Sequence, residues 1–254
     1  MRHLRPVDFS AYRREGYEFQ YLYNGESAVV IGSNVPAGAA APPHHTHPVD
    51  QLYYVVSGAM HVALGSEEHF AGPDTLVFIP AGVPHHNWNA GTVDEFHFEV
   101  LAPAPVPGRE MMTPTDSTDA LGLPYLVRPA TPEGYVANLP GFAIQKLLES
   151  SDGSHQMTLY VATVEAGAAG PGLHVHEFDQ FYYVLEGTIS IEVGLASYRA
   201  GPHTLVVLPA GVPHRQWNDG PDRERHLTLI APEPPAGVPW DVGVEFRATG
   251  VTHE

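Results

Sequence analysis

His45 and His47 stand two apart, Gln51 follows four residues on, and His85 comes just after the Pro80-Ala81-Gly82 turn. Imidazole nitrogens bind zinc, copper, iron and nickel, and a carboxamide oxygen can complete such a set. Three neutral histidines and a neutral amide leave a bound dication its full double charge. That makes a strong Lewis acid toward an enolate, a phenolate or a carboxylate. The same residues return as His174, His176, Gln180 and His214, each 129 positions later. A lone buried histidine is more often a satisfied core residue than a ligand. Three per half, repeated in one register, reverse that reading in favour of metal binding.

The repeat reaches well beyond the histidines. Residues 37–58 match 166–187 at 13 of 22 positions, and 71–91 match 200–220 at 15 of 21, so the chain is a duplicated unit. Short β-branched and aromatic runs broken by Gly and Pro predict an all-β protein, with a sandwich or barrel in each half. QLYYVVSG and AMHVALG read as two strands joined at Ser57-Gly58, and TLVFIPAGVPHHNWN as strand, turn and strand. If the ligand strand runs unbroken, alternation puts His45, His47, Gln51, Tyr53 and Val55 on one face, with Asp50 and Tyr54 on the other. The expected division is an N-terminal arm over 1–25 lying against the first domain, a first domain over 26–102, a Pro-rich connector over 103–141, a second domain over 142–232 and a tail over 233–254. Within that tail VGVEF could add an edge strand.

With 254 residues, 12 Lys plus Arg against 29 Asp plus Glu and a formal charge of −17, the chain would be repelled by nucleic acid and by anionic lipid. No cysteine is present, which excludes disulfides, thiolate metal sites and a cysteine nucleophile. No run has the length of a signal peptide's apolar region or of a membrane span, so a cytoplasmic location is expected. Exposed barrel edges are compatible with a homodimer, and the sequence leaves the oligomeric state open.

These segments resemble the two cupin motifs, G(x)5HxH(x)3-4E(x)6G and G(x)5PxG(x)2H(x)3N, and the resemblance occurs twice, as in a bicupin. His45, His47 and Gly58 fit the first motif, with Gln51 on its glutamate; Pro80, Gly82, His85 and Asn89 fit the second. His174, His176, Gln180, Gly187, Pro209, Gly211, His214 and Asn218 take the same roles in the second half. The opening glycines are displaced: Gly38 and Gly167 lie one place early, Gly72 and Gly201 two places early, where Asp74 and His203 hold the slot. The resemblance implies two tandem jelly-roll (double-stranded β-helix) barrels. It also implies one divalent transition metal per domain, Fe2+ first, with Ni2+, Cu2+, Mn2+, Co2+ or Zn2+ as alternatives, and a small-molecule substrate.

Three functions follow as expectations. The first is an O2-dependent dioxygenase acting on an enolisable or phenolic compound. The second is a non-redox isomerase or cyclase, since a carboxamide at 51 and 180 cannot act as the base that the family's glutamate provides. The third is a non-catalytic small-molecule-binding protein. Catalytic candidates are His44, present in the first half only, and Tyr53 and Tyr182 on the ligand face. His86 adjoins a ligand and is read as supporting or surface. Asp50 and Asp179 are read as turn-stabilising, His97 and His226 as face-filling, and Trp88 and Trp217 as structural. Arg215 is a weak candidate for an anionic substrate.

Overall fold

A computed structural model of the chain describes residues 3–13, 16–235 and 237–246. Their helices are three short 3-10 turns, Phe9–Ala11, Pro132–Gly134 and Ser150–Asp152. All other regular structure is antiparallel strand, gathered into four sheets.

Each half pairs a large sheet with a five-stranded one. The first half's large sheet runs Leu126–Pro129, Thr75–Ile79, Asp50–Ser57, Glu95–Ala102, Val29–Val35, Glu18–Asn24; its small sheet holds Thr113–Pro114, His45–Thr46, His85–Trp88, Met60–Leu64 and Glu67–Ala71. The second half repeats this plan. There His174–Val175 and His214–Trp217 lie in the small sheet and Asp179–Glu186 in the large one. This is the all-β, two-barrel architecture expected from the duplicated pattern.

The strand pairing differs from the local reading in one respect that builds the site. Asp50–Ser57 does not form a hairpin with Met60–Leu64; the two belong to different sheets, and so do Thr75–Ile79 and His85–Trp88. The chain crosses from sheet to sheet at Gly58, where φ is +71° and an added Cβ would lie 2.4 Å from the Asp94 carbonyl oxygen. Only glycine fits there. The ligand strand is likewise broken after Thr46, so His45 and His85 approach from one sheet, His47 from the break and Gln51 from the other sheet. At the displaced glycine slots, Asp74 and His203 themselves adopt left-handed φ of 60° and 59°.

Strand alternation holds within Asp50–Ser57. Tyr53 and Val55 face the first barrel's interior with Met60, Val62, Leu64, Val77 and Ile79. Leu52 and Tyr54 face the opposite way, into one apolar cluster shared by both halves, with Phe98 and Val100 meeting Phe181, Tyr183 and Leu229. The Phe98 and Tyr183 rings are 5.0 Å apart. Each such buried side chain contributes on the order of 1.5–3 kcal/mol, so the halves are joined by core and not by a linker contact. Burial on both faces also explains why these strands read as nearly continuous apolar runs.

The segment expected as an arm against the first half serves both. Leu4–Pro6 pairs with Thr204–Leu208 of the second half, whereas Glu18–Asn24 pairs with Val29–Val35 of the first. Connector and tail also carry strands: Thr113–Pro114 pairs with Thr46 and His45, and Val242–Gly243 pairs with Val175 and His174. These two pairings are one 129-residue register apart, so the duplication extends into segments whose sequences show no match.

Candidate metal centres

His45 and His85 face each other across paired strands, as do His174 and His214. His47 and His176 complete the two triads, and within each the donor atoms lie within 4.8 Å of one another. All six rings are buried. Their Nδ1 atoms sit on backbone carbonyls: His45 on Pro43 (2.9 Å), His47 on Met111 (2.6 Å), His85 on Val83 (2.9 Å), His174 on Gly172 (2.8 Å), His176 on Phe178 (2.7 Å) and His214 on Val212 (3.0 Å). A carbonyl only accepts, so each Nδ1 carries the proton and each Nε2 presents a lone pair to the centre of its triad.

Burial lowers the pKa of His45, His47 and His176, takes that of His85 well below the ordinary value, and brings that of His214 down to about 3. Neutral imidazoles are the ligand form. In the first half Gln51 donates from Nε2 to Glu99 Oε1 at 2.7 Å, which turns its Oε1 the other way. That Oε1 and the Nε2 of His85 are buried without a partner. In the second half Gln180 Oε1 lies 3.0 Å from the Nε2 of both His176 and His214. Lone pairs meeting at that spacing repel unless a cation lies among them, and ~3 Å is the separation of neighbouring donors each ~2.1 Å from one ion. The residues present therefore fit a divalent metal in each half.

The cupin domain model matches residues 33–101 and 160–230, more than half of the chain and once per triad. The protein belongs to the cupin family. Solved structures with the same fold include oxalate decarboxylase of Bacillus subtilis, in a study of its Mn(II) centres (15% identity, 94% of this chain and 79% of that one, TM-score 0.71). A putative glyoxylate-induced protein of Pseudomonas aeruginosa is 19% identical over 92% of this chain and 82% of its own, at TM-score 0.66. The coconut allergen cocosin is 11% identical over 91% and 85%, at TM-score 0.70. No curated protein matches the sequence. No described helix is long and apolar enough to cross a membrane.

Both centres of this bicupin border a cavity; that of the second half, about 300 Å³, is lined by His176 with Phe178, Trp240 and Val242. The first opens into a cavity of about 320 Å³ lined by His45, His47, Gln51, Tyr53 and Glu99, with walls of Phe19, Tyr21, Ile31, Leu101, Met111 and Met112 and no Lys or Arg. Glu99 is the residue that sequence reasoning missed. Besides Gln51 it accepts from Ser33 Oγ (2.9 Å), and His97 Nε2 lies 3.8 Å away. Burial raises its pKa, but the neighbouring His97, with Ser33 and Gln51 as hydrogen-bond donors, holds it below the usual carboxylate range. The signal was available in Glu95-Phe96-His97-Phe98-Glu99, where three polar groups share one face of a buried strand. In the second half Glu99 is replaced by Thr228.

His97 is thus more than a face-filling residue. Its Nδ1 is 3.0 Å from both Glu95 carboxylate oxygens, and its Nε2 is 3.1 Å from the Tyr17 hydroxyl. Burial disfavours the imidazolium, yet the carboxylates of Glu95 and Glu99 outweigh it and raise the pKa from 6.5 to about 9. A folded-state pKa raised above the unfolded one stabilises fully below pH ~6.5 and is lost as pH rises through ~9. The urea midpoint of the native protein is therefore expected to fall between pH 6.5 and 9 relative to His97→Asn. Parallel pH profiles for the two proteins would contradict that charge state.

The other candidates are placed as follows. Tyr53 lines the first cavity and Tyr182 donates to Gln216 at 2.9 Å; burial holds both phenols neutral. His44 lies outside the cavity, stacked on His86 with ring centres 4.0 Å apart. Asp50 and Asp179 accept from the Ala81 and Ala210 amides of the Pro-Gly turns, at 2.9 Å each. Arg215 is exposed, bonded to Glu192 at 2.7 Å and lying over Trp217, so it meets no cavity.

Proposed function

We propose that this cupin is a metal-dependent enzyme whose first half carries the reaction, and that it is an O2-dependent dioxygenase of a small phenolic or enolisable substrate. The observation behind this reading is Glu99, a buried carboxylate in the same cavity as His45, His47 and Gln51. A carboxamide in the family's glutamate position cannot take a proton, and Glu99 restores a base beside it. The metal held by His45, His47, His85 and Gln51 would supply Lewis acidity and a place for oxygen. Glu99 takes the substrate's hydroxyl or α-carbon proton, Ser33 and Gln51 hold the carboxylate in place, and the apolar walls exclude water and seat an aromatic ring or chain.

The walls also bear on substrate class. A small dianion such as oxalate would enter a cavity that already holds one carboxylate and offers no Lys or Arg to neutralise it. A substrate with one acidic proton and an apolar body fits better. A proton-shift isomerase is the second reading, because Glu99 can return the proton it removes to a different carbon.

Oxygen separates the two. Protein loaded anaerobically with Fe(II) and supplied with phenolic and enolisable compounds is expected to consume one O2 per turnover and to place both atoms of labelled 18O2 in product. Conversion to an isomer without oxygen uptake would overturn the dioxygenase reading in favour of the second.

A further inference from the structure

The first barrel holds a phenol where the second has a plain ring. Ser33 pairs with Phe19 and its repeat, Ala162, pairs with Ile144, so two positions back Tyr17 and Phe142 are equivalent. Both rings lie beside the repeated histidine, Tyr17 6.0 Å from His97 and Phe142 6.5 Å from His226. Phe142 has no oxygen to offer, and His226 Nε2 is buried without a hydrogen-bond partner. Around Tyr17 the donors can be assigned. His97 lies between two carboxylates, its Nδ1 3.0 Å from Glu95 and its Nε2 3.8 Å from Glu99, and they raise its pKa to about 9. Both ring nitrogens of such an imidazolium donate, and Nε2 gives its proton to the Tyr17 hydroxyl at 3.1 Å. Asn87 Nδ2 donates to the same oxygen at 3.3 Å. The oxygen of Tyr17 therefore accepts twice from within the protein, and its own proton is left to give. Tyr17 lines the first cavity together with Glu99, and burial keeps the phenol protonated. Ser33, the other hydroxyl beside Glu99, gives its proton to that carboxylate at 2.9 Å.

We propose that Tyr17 is a hydrogen-bond donor to the substrate in the first cavity, holding the oxygen that becomes anionic as Glu99 takes the substrate's proton. The proton passes to the Glu99 carboxylate, and the electron pair stays on the substrate as a phenolate or enolate oxygen facing the Tyr17 hydroxyl. A neutral donor already oriented by an imidazolium stabilises that oxygen without bringing another full charge among the apolar walls. It also selects: a compound with the same apolar body and no oxygen at that place would leave the buried Tyr17 proton without an acceptor. The second half, with Phe142 and Thr228 in place of Tyr17 and Glu99, has neither the donor nor the base. The proposal rests on the reading of Glu99 as the base of the first cavity.

The test uses the full chain loaded with Zn(II), which is redox-inert, and 4-nitrophenol, whose visible absorption reports whether it is bound as phenol or as phenolate. Tyr17→Phe installs the residue that the second half carries at the equivalent position, so the packing is one the fold already accepts. The native protein is expected to bind the probe as its anion. Tyr17→Phe is expected to weaken binding of the anion about tenfold or more at unchanged zinc content. A merely structural tyrosine would weaken phenol and phenolate alike, so the deciding readout is the apparent pKa of the bound probe, expected to rise by about one unit in the variant. An unshifted probe in Tyr17→Phe, or a native protein that binds no 4-nitrophenol, would overturn the assignment. Turnover of Glu99→Gln separates the two readings. Full turnover there would remove the base and the Tyr17 proposal with it, whereas lost turnover beside an unshifted probe in Tyr17→Phe would remove Tyr17 alone.

Discussion

Glu99→Gln is expected to lower turnover by about a hundredfold or more, the range over which a positioned base contributes, while both centres stay loaded. The variant separates two roles. Glu99 accepts from Gln51 Nε2 and so leaves the buried Gln51 Oε1, which has no hydrogen-bond partner, as the atom available to an ion; it also supplies the only carboxylate among the residues that line the cavity. A glutamine keeps an acceptor oxygen for Gln51 and loses the base together with the negative charge that faces His97. Rapid kinetics under saturating substrate should show the loss in kcat, with metal content measured on the same sample. A drop in metal at unchanged turnover per ion would assign Glu99 to ligand orientation alone and would remove the carboxylate from the chemistry.

His47→Ala is expected to halve the metal, from two ions per chain to one, and to abolish turnover, whereas His176→Ala is expected to halve the metal and leave the first cavity's ligand chemistry in place. The two triads are separate groups, each with its own fourth donor. Removing one imidazole leaves its partners too few to retain the ion against buffer, and the other triad shares none of those atoms. Elemental analysis and turnover on both variants check this together. Activity that survives His47→Ala and disappears with His176→Ala would move the catalytic centre to the second half.

The triads and the two-barrel fold were legible in the chain because duplication repeats a rare combination in one register. His45, His47 and His85 can be aligned with His174, His176 and His214 without any structure. Which strands pair was not legible. The pattern around Ser57-Gly58 is that of a hairpin, and nothing local records that Met60–Leu64 pairs instead with Glu67–Ala71 and His85–Trp88. Glu99 was hidden by the same limitation: alternation shows that it shares a face with Glu95 and His97, but not that this face bounds the cavity. Position 51 shows the cost. Its carboxamide, read alone, points to chemistry without a base, and the carboxylate bonded to it lies 48 residues away on a neighbouring strand.

Anomalous diffraction from crystals of protein reconstituted anaerobically with Fe(II) bears most directly on the two centres. The expected result is one iron peak about 2.0–2.2 Å from the Nε2 atoms of His45, His47 and His85 and from Gln51 Oε1, with a second in the corresponding place among His174, His176, His214 and Gln180. Absence of iron from both triads, or iron bound by Glu99 with Gln51 turned away, would contradict it.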